Sequence, residues 1–164
     1  MKKVLHAIRR FYYTSRVKRV VLKYGKNLRV NAKSTMSSNV ELGNNVNFNG
    51  MHILGNGKVL IGDNFHSGSE CMIITQNHNY EGCAIPYDNS YIYKTIRIKD
   101  NVWLGNRVII TGNTTIGEGA IVAAGSVVCK DVPDFAIVGG NPAKVIKYRD
   151  INHYLELKTM NKIH

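Results

Sequence analysis

The sequence predicts an all-β solenoid, a parallel β-helix of about five coils. A short basic helix precedes it, one long loop is extruded from it, and a C-terminal helix follows. Three observations carry the prediction. Apolar residues recur every six positions through most of the 164-residue chain. Glycine follows the recurring residue in seven of its fifteen occurrences, and the recurrence is broken only once at length.

The recurring positions are Tyr24, Val30, Met36, Leu42, Phe48 and Leu54. One inserted residue then shifts the frame, which continues through Ile61, Ser67 and Ile73. After the break it returns as Ile98, Leu104, Ile110, Ile116, Val122 and Val128. Fourteen of these fifteen slots are apolar, where a 44% apolar composition would supply about seven by chance. Alternating strands of a sandwich or barrel do not keep a strict period of six, so the repeat decides the fold before any single strand is assigned. The next position holds Gly25, Gly43, Gly55, Gly62, Gly68, Gly105 and Gly117, often followed by Asn, Asp or another Gly. These types tolerate positive φ, as corners require. The fifth position is small or β-branched at Ser34, Val40, Val46, Cys71, Val102, Val108, Thr114, Ala120, Ser126 and Val132, which suits the inside of a narrow coil. Three hexads make one coil, and coils stack at the strand spacing of roughly 4.8 Å. Nine hexads before the break and six after it give five coils across residues 24–149.

The break runs over residues 79–97, directly after Thr75-Gln76-Asn77-His78. A long excursion leaves solenoid packing intact and serves binding or assembly. It holds Tyr80, Tyr87, Tyr91 and Tyr93, rings with a polar edge that suit a sugar face and a subunit interface equally. His78 closes the last hexad before it, where a rigid coil would hold an imidazole beside a flap. A neutral imidazole accepts a proton near neutral pH, so His78 is the candidate general base, with a loop-edge hydrogen bonder as the plainer reading. Gln76, Asn77 and Asn79 stand close enough in sequence to orient a substrate. His52, in a fifth position, is expected to pack inward and His66 to sit on a corner, while His6, His153 and His164 lie in the end segments. No H-x-H or H-x-x-x-H spacing occurs, and Cys71, Cys83 and Cys129 stand apart, so no metal site is predicted. Isolated cysteines fit a reduced, cytoplasmic setting.

The net charge of +11 divides unevenly. Residues 1–23 carry Lys2, Lys3, Arg9, Arg10, Arg16, Lys18, Arg19 and Lys23 and no acid; residues 24–143 balance nine bases against nine acids; residues 144–164 carry five bases and two acids. Residues 1–23 read as a basic amphipathic helix with Val4, Leu5, Ile8, Phe11 and Tyr12 on one face. Two readings stand: it caps the open first coil, or it rests on an anionic membrane at the inner cytoplasmic surface. Nucleic acid is not predicted as a partner, because the solenoid itself is neutral. His6, Arg9 and Arg10 interrupt any secretory h-region, and no run of about 18 apolar residues is present. Residues 150–164 read as a short helix, packed on a neighbour or frayed.

With these residues in view, the sequence resembles the hexapeptide-repeat acyltransferases, in particular the maltose/galactoside O-acetyltransferase and xenobiotic acetyltransferase group. The likeness covers roughly residues 40–148 and is carried by residues 98–146, with VWLG, AAGSVV and GGNPAKVI in order, and by Thr75-Gln76-Asn77-His78 after Ile61-Gly62-Asp63-Asn64. The resemblance implies a left-handed β-helix and a homotrimer with active sites between subunits. It implies acetyl-CoA as co-substrate with no metal. His78 falls at the family's catalytic histidine, and Trp103 and Gly105 fall near its pantetheine and thioester. Ala123 and Cys129 fall on coil edges along the pantetheine arm, and Lys144 and Lys147 where cations meet the nucleotide phosphates. The acceptor is expected near Asn49, Asn56 and Asn77. The family's acidic acceptor position falls near Gly55-Asn56, so the match weakens there, and the long N-terminal helical domain of serine acetyltransferases is missing.

The function expected is acetyl-CoA-dependent O-acetylation of a sugar or polysaccharide precursor, by direct transfer with His78 as base. Acetylation of an amino sugar nitrogen or of an antibiotic is the alternative within enzymes, and a solenoid scaffold the alternative outside them.

Overall fold

The computed structural model describes residues 2–163; Met1 and His164, which close the two predicted end segments, and the side chains of Lys2 and Lys3 lie outside the described residues. The body is a parallel β-solenoid with three faces. The first face stacks Val40–Leu42, Val59–Ile61, Ile96–Ile98 and Thr114–Ile116. The second stacks Arg29–Val30, the starts of Asn47–Leu54 and His66–Ile74, then Trp103–Leu104, Ile121–Val122 and Ala136–Gly140. The third stacks the ends of those two long strands with Ile109–Thr111 and Val127–Val128.

The chain makes about six turns, one more than the hexad count predicts. The sixth is visible at the corner between the first and second faces, where each turn places one residue at positive φ: Asn27, Asn45, Asn64, Asn101, Gly119 and Phe135. Val132 and Val138 carry the core into this last turn and are buried. It lies outside the hexad count because the chain then reverses, and Ala143–Tyr148 pairs antiparallel with Ala136–Gly140.

The corner glycines have a different reason from the one composition suggests. Gly43 and Gly62 are not at positive φ; the asparagines two residues later are. A Cβ on Gly43 would stand 2.3 Å from Asp63 Oδ1, and one on Gly62 2.2 Å from Asp100 Oδ1. Those carboxylate oxygens accept hydrogen bonds from the Asn44 and Asp63 main-chain N–H groups, both at 2.7 Å. Glycine leaves room for the side chain of the following turn to cap the turn before it.

The core is the column of inward residues. Twelve of the fifteen predicted slots are buried; Tyr24, Met36 and Leu54 are not. Tyr24 and Met36 belong to the open first turn. Leu54 misses because the frame shift is a deletion followed by an insertion rather than one insertion. The long strand Asn47–Leu54 runs one residue short against His66–Ile74 beyond Asn47, so Met51 and Ile53 face inward, and Leu54 to Gly57 make up the difference. His52 therefore points outward, against expectation, with Nδ1 3.3 Å from Thr35 Oγ1. Ser67, the single polar slot, is buried between Phe48 and Leu104 in its column; Phe65 fills the volume and meets Phe48 edge-on at 5.8 Å.

Both ends pack on the solenoid. The N-terminal helix Lys2–Lys18 docks by its C-terminal half: Val17 is buried, and Thr14 Oγ accepts the Val30 N–H at 3.0 Å. The C-terminal helix Ile151–Thr159 is tied to the turns of its own solenoid through Tyr154. It inserts Tyr154 at the level where Gly119 offers no side chain. Asn45 donates to Asn64 and Asn64 to Asn101; Asn101 then donates to the Tyr154 hydroxyl at 2.8 Å, which donates to Glu118 Oε1 at 3.0 Å. No helix among the described residues is long and apolar enough to cross a membrane.

The predicted loop is an antiparallel hairpin, with Gln76–His78 paired to Tyr91–Tyr93. It leaves the corner between the third and first faces, and its base is knotted at Thr75. The buried Oγ1 of Thr75 accepts the Gly57 N–H at 3.0 Å and donates to the Leu54 carbonyl at 2.9 Å, while the Lys94 N–H donates to the Thr75 carbonyl.

Two outcomes test these contacts. Burial and the Glu118 carboxylate push the Tyr154 hydroxyl up to about 12. A folded value above the unfolded one near 10 means stability that is present below pH 10 and lost as pH rises through about 12. Tyr154→Phe should lower the melting temperature by roughly 2–4 °C at neutral pH, the size of one net hydrogen bond in a chain of this length. The gap from wild type should close between pH 10 and 12; a gap independent of pH would mean that the hydroxyl does not carry the ladder's end. Thr75→Val keeps the shape but strands the Gly57 N–H, and denaturant titration should show a loss of about 1–3 kcal/mol.

Candidate active site

His78 ends the outgoing strand of the hairpin, three residues past Thr75 at its base. Side chains alternate along a strand, so Gln76 and His78 share a hairpin face with their cross-strand partners Tyr93 and Tyr91. The imidazole stacks on Tyr87 at 4.0 Å between centroids and 15° between planes, and tilts against Tyr91 at 4.8 Å. It is exposed, and among the described residues its ring takes part in no hydrogen bond. The arrangement is an imidazole fixed by aromatic contact on its face with its nitrogens left open.

Tyr87 is held there by a folded tip. Asp88 accepts from the Ser90 N–H and hydroxyl and from the Cys83 N–H, and the Ser90 bonds hold its carboxyl below the usual range. Asn79 donates to the Ser90 carbonyl through its main chain and accepts from the Glu81 N–H through its side chain. Three of the four loop tyrosines are thus placed: Tyr87 and Tyr91 at His78, and Tyr93 beside Tyr91 at 6.4 Å.

Two of the three predicted acceptor residues join this region. Asn56 donates its N–H to Gln76 Oε1 at 2.9 Å and lines, with Lys58, Tyr93 and Lys94, a cavity of about 410 Å³ at the hairpin base. The Asn77 side-chain amide stands 2.9 Å from both the Gln76 carbonyl oxygen and Lys94 Nζ. Asn49 lies elsewhere, at the corner between the second and third faces. It donates to the Ser67 carbonyl at 2.8 Å and accepts from Asn31, and its amide stands 3.2 Å from His66 Nε2. Lys94 is a member of the hairpin-base cluster that sequence reasoning did not single out; its only signal is its place at the return of the break.

The predicted coenzyme residues divide between corners. Trp103 stands outward on the second face, half exposed, in a column with His66 before it and Ile121 and Ile137 after it. His66 is therefore on a face, not on the corner expected for it. Gly105 and Ala123 follow at the next corner, where each turn comes so close that a Cβ on Gly105 would stand 2.6 Å from the Ala124 nitrogen. Gly139 continues the row, with Ala123 Cβ and the tip of Ile146 closing over it. Lys144 and Lys147 project from the antiparallel strand beside this row, exposed and in no ion pair among the described residues. Cys129 is exposed at the hairpin's corner instead, two turns beyond it. Cys71 is buried, bonds to the Gly105 carbonyl at 3.1 Å, and has its thiol pushed up by burial, which removes it as a nucleophile. No group of three or more His, Cys, Asp or Glu side chains among the described residues could hold a metal ion.

The model of the bacterial transferase hexapeptide family (six repeats) matches residues 95–130, the regular turns after the hairpin. The galactoside O-acetyltransferase of Escherichia coli is 32% identical over 124 residues, 73% of this chain and 60% of that protein. A hexapeptide-repeat acetyltransferase of Vibrio cholerae, solved with acetyl coenzyme A, superposes with a TM-score of 0.67 at 27% identity, over 80% of this chain and 73% of that one. A galactoside acetyltransferase solved with coenzyme A gives 0.73 at 29%, over 85% and 71%. The chain spans between 31% and 60% of the length of the curated relatives it matches. Period, corner geometry and similarity agree on a left-handed β-helix of hexapeptide repeats, similar in sequence and fold to the hexapeptide-repeat acetyltransferases.

Proposed function

We propose that this chain is an acetyl-CoA-dependent acetyltransferase that acts on a hydroxyl of a sugar or glycan precursor, with His78 as general base. The observation that carries the reading is His78 itself, an exposed imidazole clamped between tyrosines with its nitrogens open, on the one excursion from a regular solenoid. In the step proposed, a ring nitrogen takes the acceptor's hydroxyl proton as that oxygen bonds to the thioester carbon. The C–S bond then breaks, and the imidazolium returns the proton to the departing thiolate. No enzyme-bound intermediate is needed, since the thioester is already activated.

The residues present fit an acyl-CoA substrate. The row Gly105, Ala123 and Gly139 offers a corner without large side chains along which a narrow pantetheine arm can lie. Lys144 and Lys147, unpaired at its end, suit phosphates. Because this row and His78 lie at different corners of one rigid prism, we assign the complete site to two neighbouring copies in a homotrimer, in the cytoplasm. Asn56, Asn77 and Lys94 then stand on the acceptor's side of His78. The tyrosine face supports a sugar ring as acceptor.

Three measurements test this. His78→Ala should keep its melting temperature and CoA affinity but lose about 10²–10⁴ in turnover, the range for a missing general base; near-wild-type turnover would reject His78. Lys144→Ala and Lys147→Ala should each raise KM for acyl-CoA, and the difference should shrink with added salt. A rise confined to the acceptor's KM would place the coenzyme elsewhere. An acceptor panel that pairs hydroxyl sugars with their amino counterparts separates O- from N-transfer.

A further inference from the structure

The N-terminal helix has two opposed faces, and only one is used by the fold. At about 100° per residue, Tyr13, Thr14 and Val17 fall on one side. This is the docked side, with Val17 buried and Thr14 bonded to Val30. Val4, Leu5, Ile8, Phe11 and Tyr12 fall on the opposite side within an arc of roughly 120°. They are between 53% and 76% exposed, with Phe11 the most exposed of the five. A helix that served only as a cap would turn its apolar stripe toward the coil it covers; this one turns it away.

The charges select the occupant. Residues 1–23 carry eight basic side chains and no acidic one, while residues 24–143 are neutral in sum. Arg9 and Arg16 fall along one border of the stripe and Lys18 along the other, and Arg16 Nη1 donates to the Tyr12 hydroxyl at 3.3 Å. A second copy of this chain would bring like charge against like. Nucleic acid would neutralise the arginines but leave five large apolar side chains in water. An anionic bilayer satisfies both, with the stripe at the acyl boundary and the flanking cations among the headgroups.

We propose that the outward face Val4, Leu5, Ile8, Phe11 and Tyr12, with its bordering arginines, docks the protein onto an anionic lipid surface, while the inward face caps the first turn. The inference stands apart from the acetyltransferase reading. It places the solenoid's first turn nearest the bilayer and leaves the hairpin free.

The test is co-sedimentation of the full chain with vesicles of phosphatidylcholine alone and with about one third phosphatidylglycerol. Binding is expected to the anionic vesicles at about 0.1 M salt, at least tenfold weaker to the neutral ones, and weaker again near 1 M salt. Ile8→Ser combined with Phe11→Ser should reduce binding tenfold or more without changing the melting temperature or the size on gel filtration. Val17→Ala should do the reverse, with a lower melting temperature and undiminished binding. The proposal is overturned by failure to bind anionic vesicles, by equal binding to neutral ones, or by undiminished binding of the double variant. It is also overturned if the double variant changes oligomeric size, which would make the stripe an interface between copies.

Discussion

Each turn of a β-solenoid leaves the strand edges of the preceding turn open until its own main chain arrives, and the bonds between turns form only if both keep one register. A period of six does not by itself fix that register, since one hexad's inward pair resembles the next. The interlock at the first corner does. A side-chain oxygen of Asp63 or Asp100 crosses the plane of the preceding turn to cap its N–H, over a glycine that has no Cβ to obstruct it. Two residues on, an asparagine in the left-handed region reaches the asparagine of the next turn. A slip of one hexad would bury side chains where only glycine fits and would leave the amide ladder unpaired.

With register held at that corner, the other two are free to vary. The second corner is reduced to small residues where successive turns nearly touch, which leaves a smooth strip beside Trp103. The third carries the hairpin, and its residues add nothing to the inward column. Their ties to the solenoid gather at its base, in the knot at Thr75, where one hydroxyl satisfies Gly57 and Leu54 together, and in the Asn56 N–H bond to Gln76 Oε1. His78 can therefore be exposed and aromatic-clamped without cost to the core. The C-terminal helix closes the ladder in the same economical way, with Tyr154 entering where Gly119 leaves a gap.

Much of this was legible in the sequence because inward packing imposes a period that composition cannot imitate. The faces, the single excursion and the position of His78 at its start follow from residue type and spacing. The parts that were not legible depend on contacts between turns. A deletion near Asn49 and an insertion at Leu54 to Gly57 together mimic a single inserted residue, so His52 and Leu54 were assigned inward. Gly43 and Gly62 look like flexible corners, but their role is to be small beneath the next turn's carboxylate. Nothing local marks Tyr154 as the partner of Asn101, 53 positions earlier. The sixth turn escaped because the hexad frame stops at Val128, and the strand beyond it, Ala136–Gly140, has an antiparallel outer neighbour.

The distribution of polar and apolar groups over the corners bears on how the proposed chemistry is organised. General-base catalysis needs the base within hydrogen-bond reach of the attacking oxygen, and that oxygen within about 3–3.5 Å of the carbonyl carbon. A prism stiffened by main-chain bonds on all three faces cannot bring two of its own corners together. If His78 acts at one corner and the thioester lies along Gly105 and Ala123 at another, assembly does what flexibility does in a hinged enzyme. The outward column of half-exposed Trp103 with the partly buried Ile121 and Ile137 would then be apolar surface for a neighbouring copy. The N-terminal helix, whose own exposed stripe is turned away from the solenoid, is the surface we propose for a different environment.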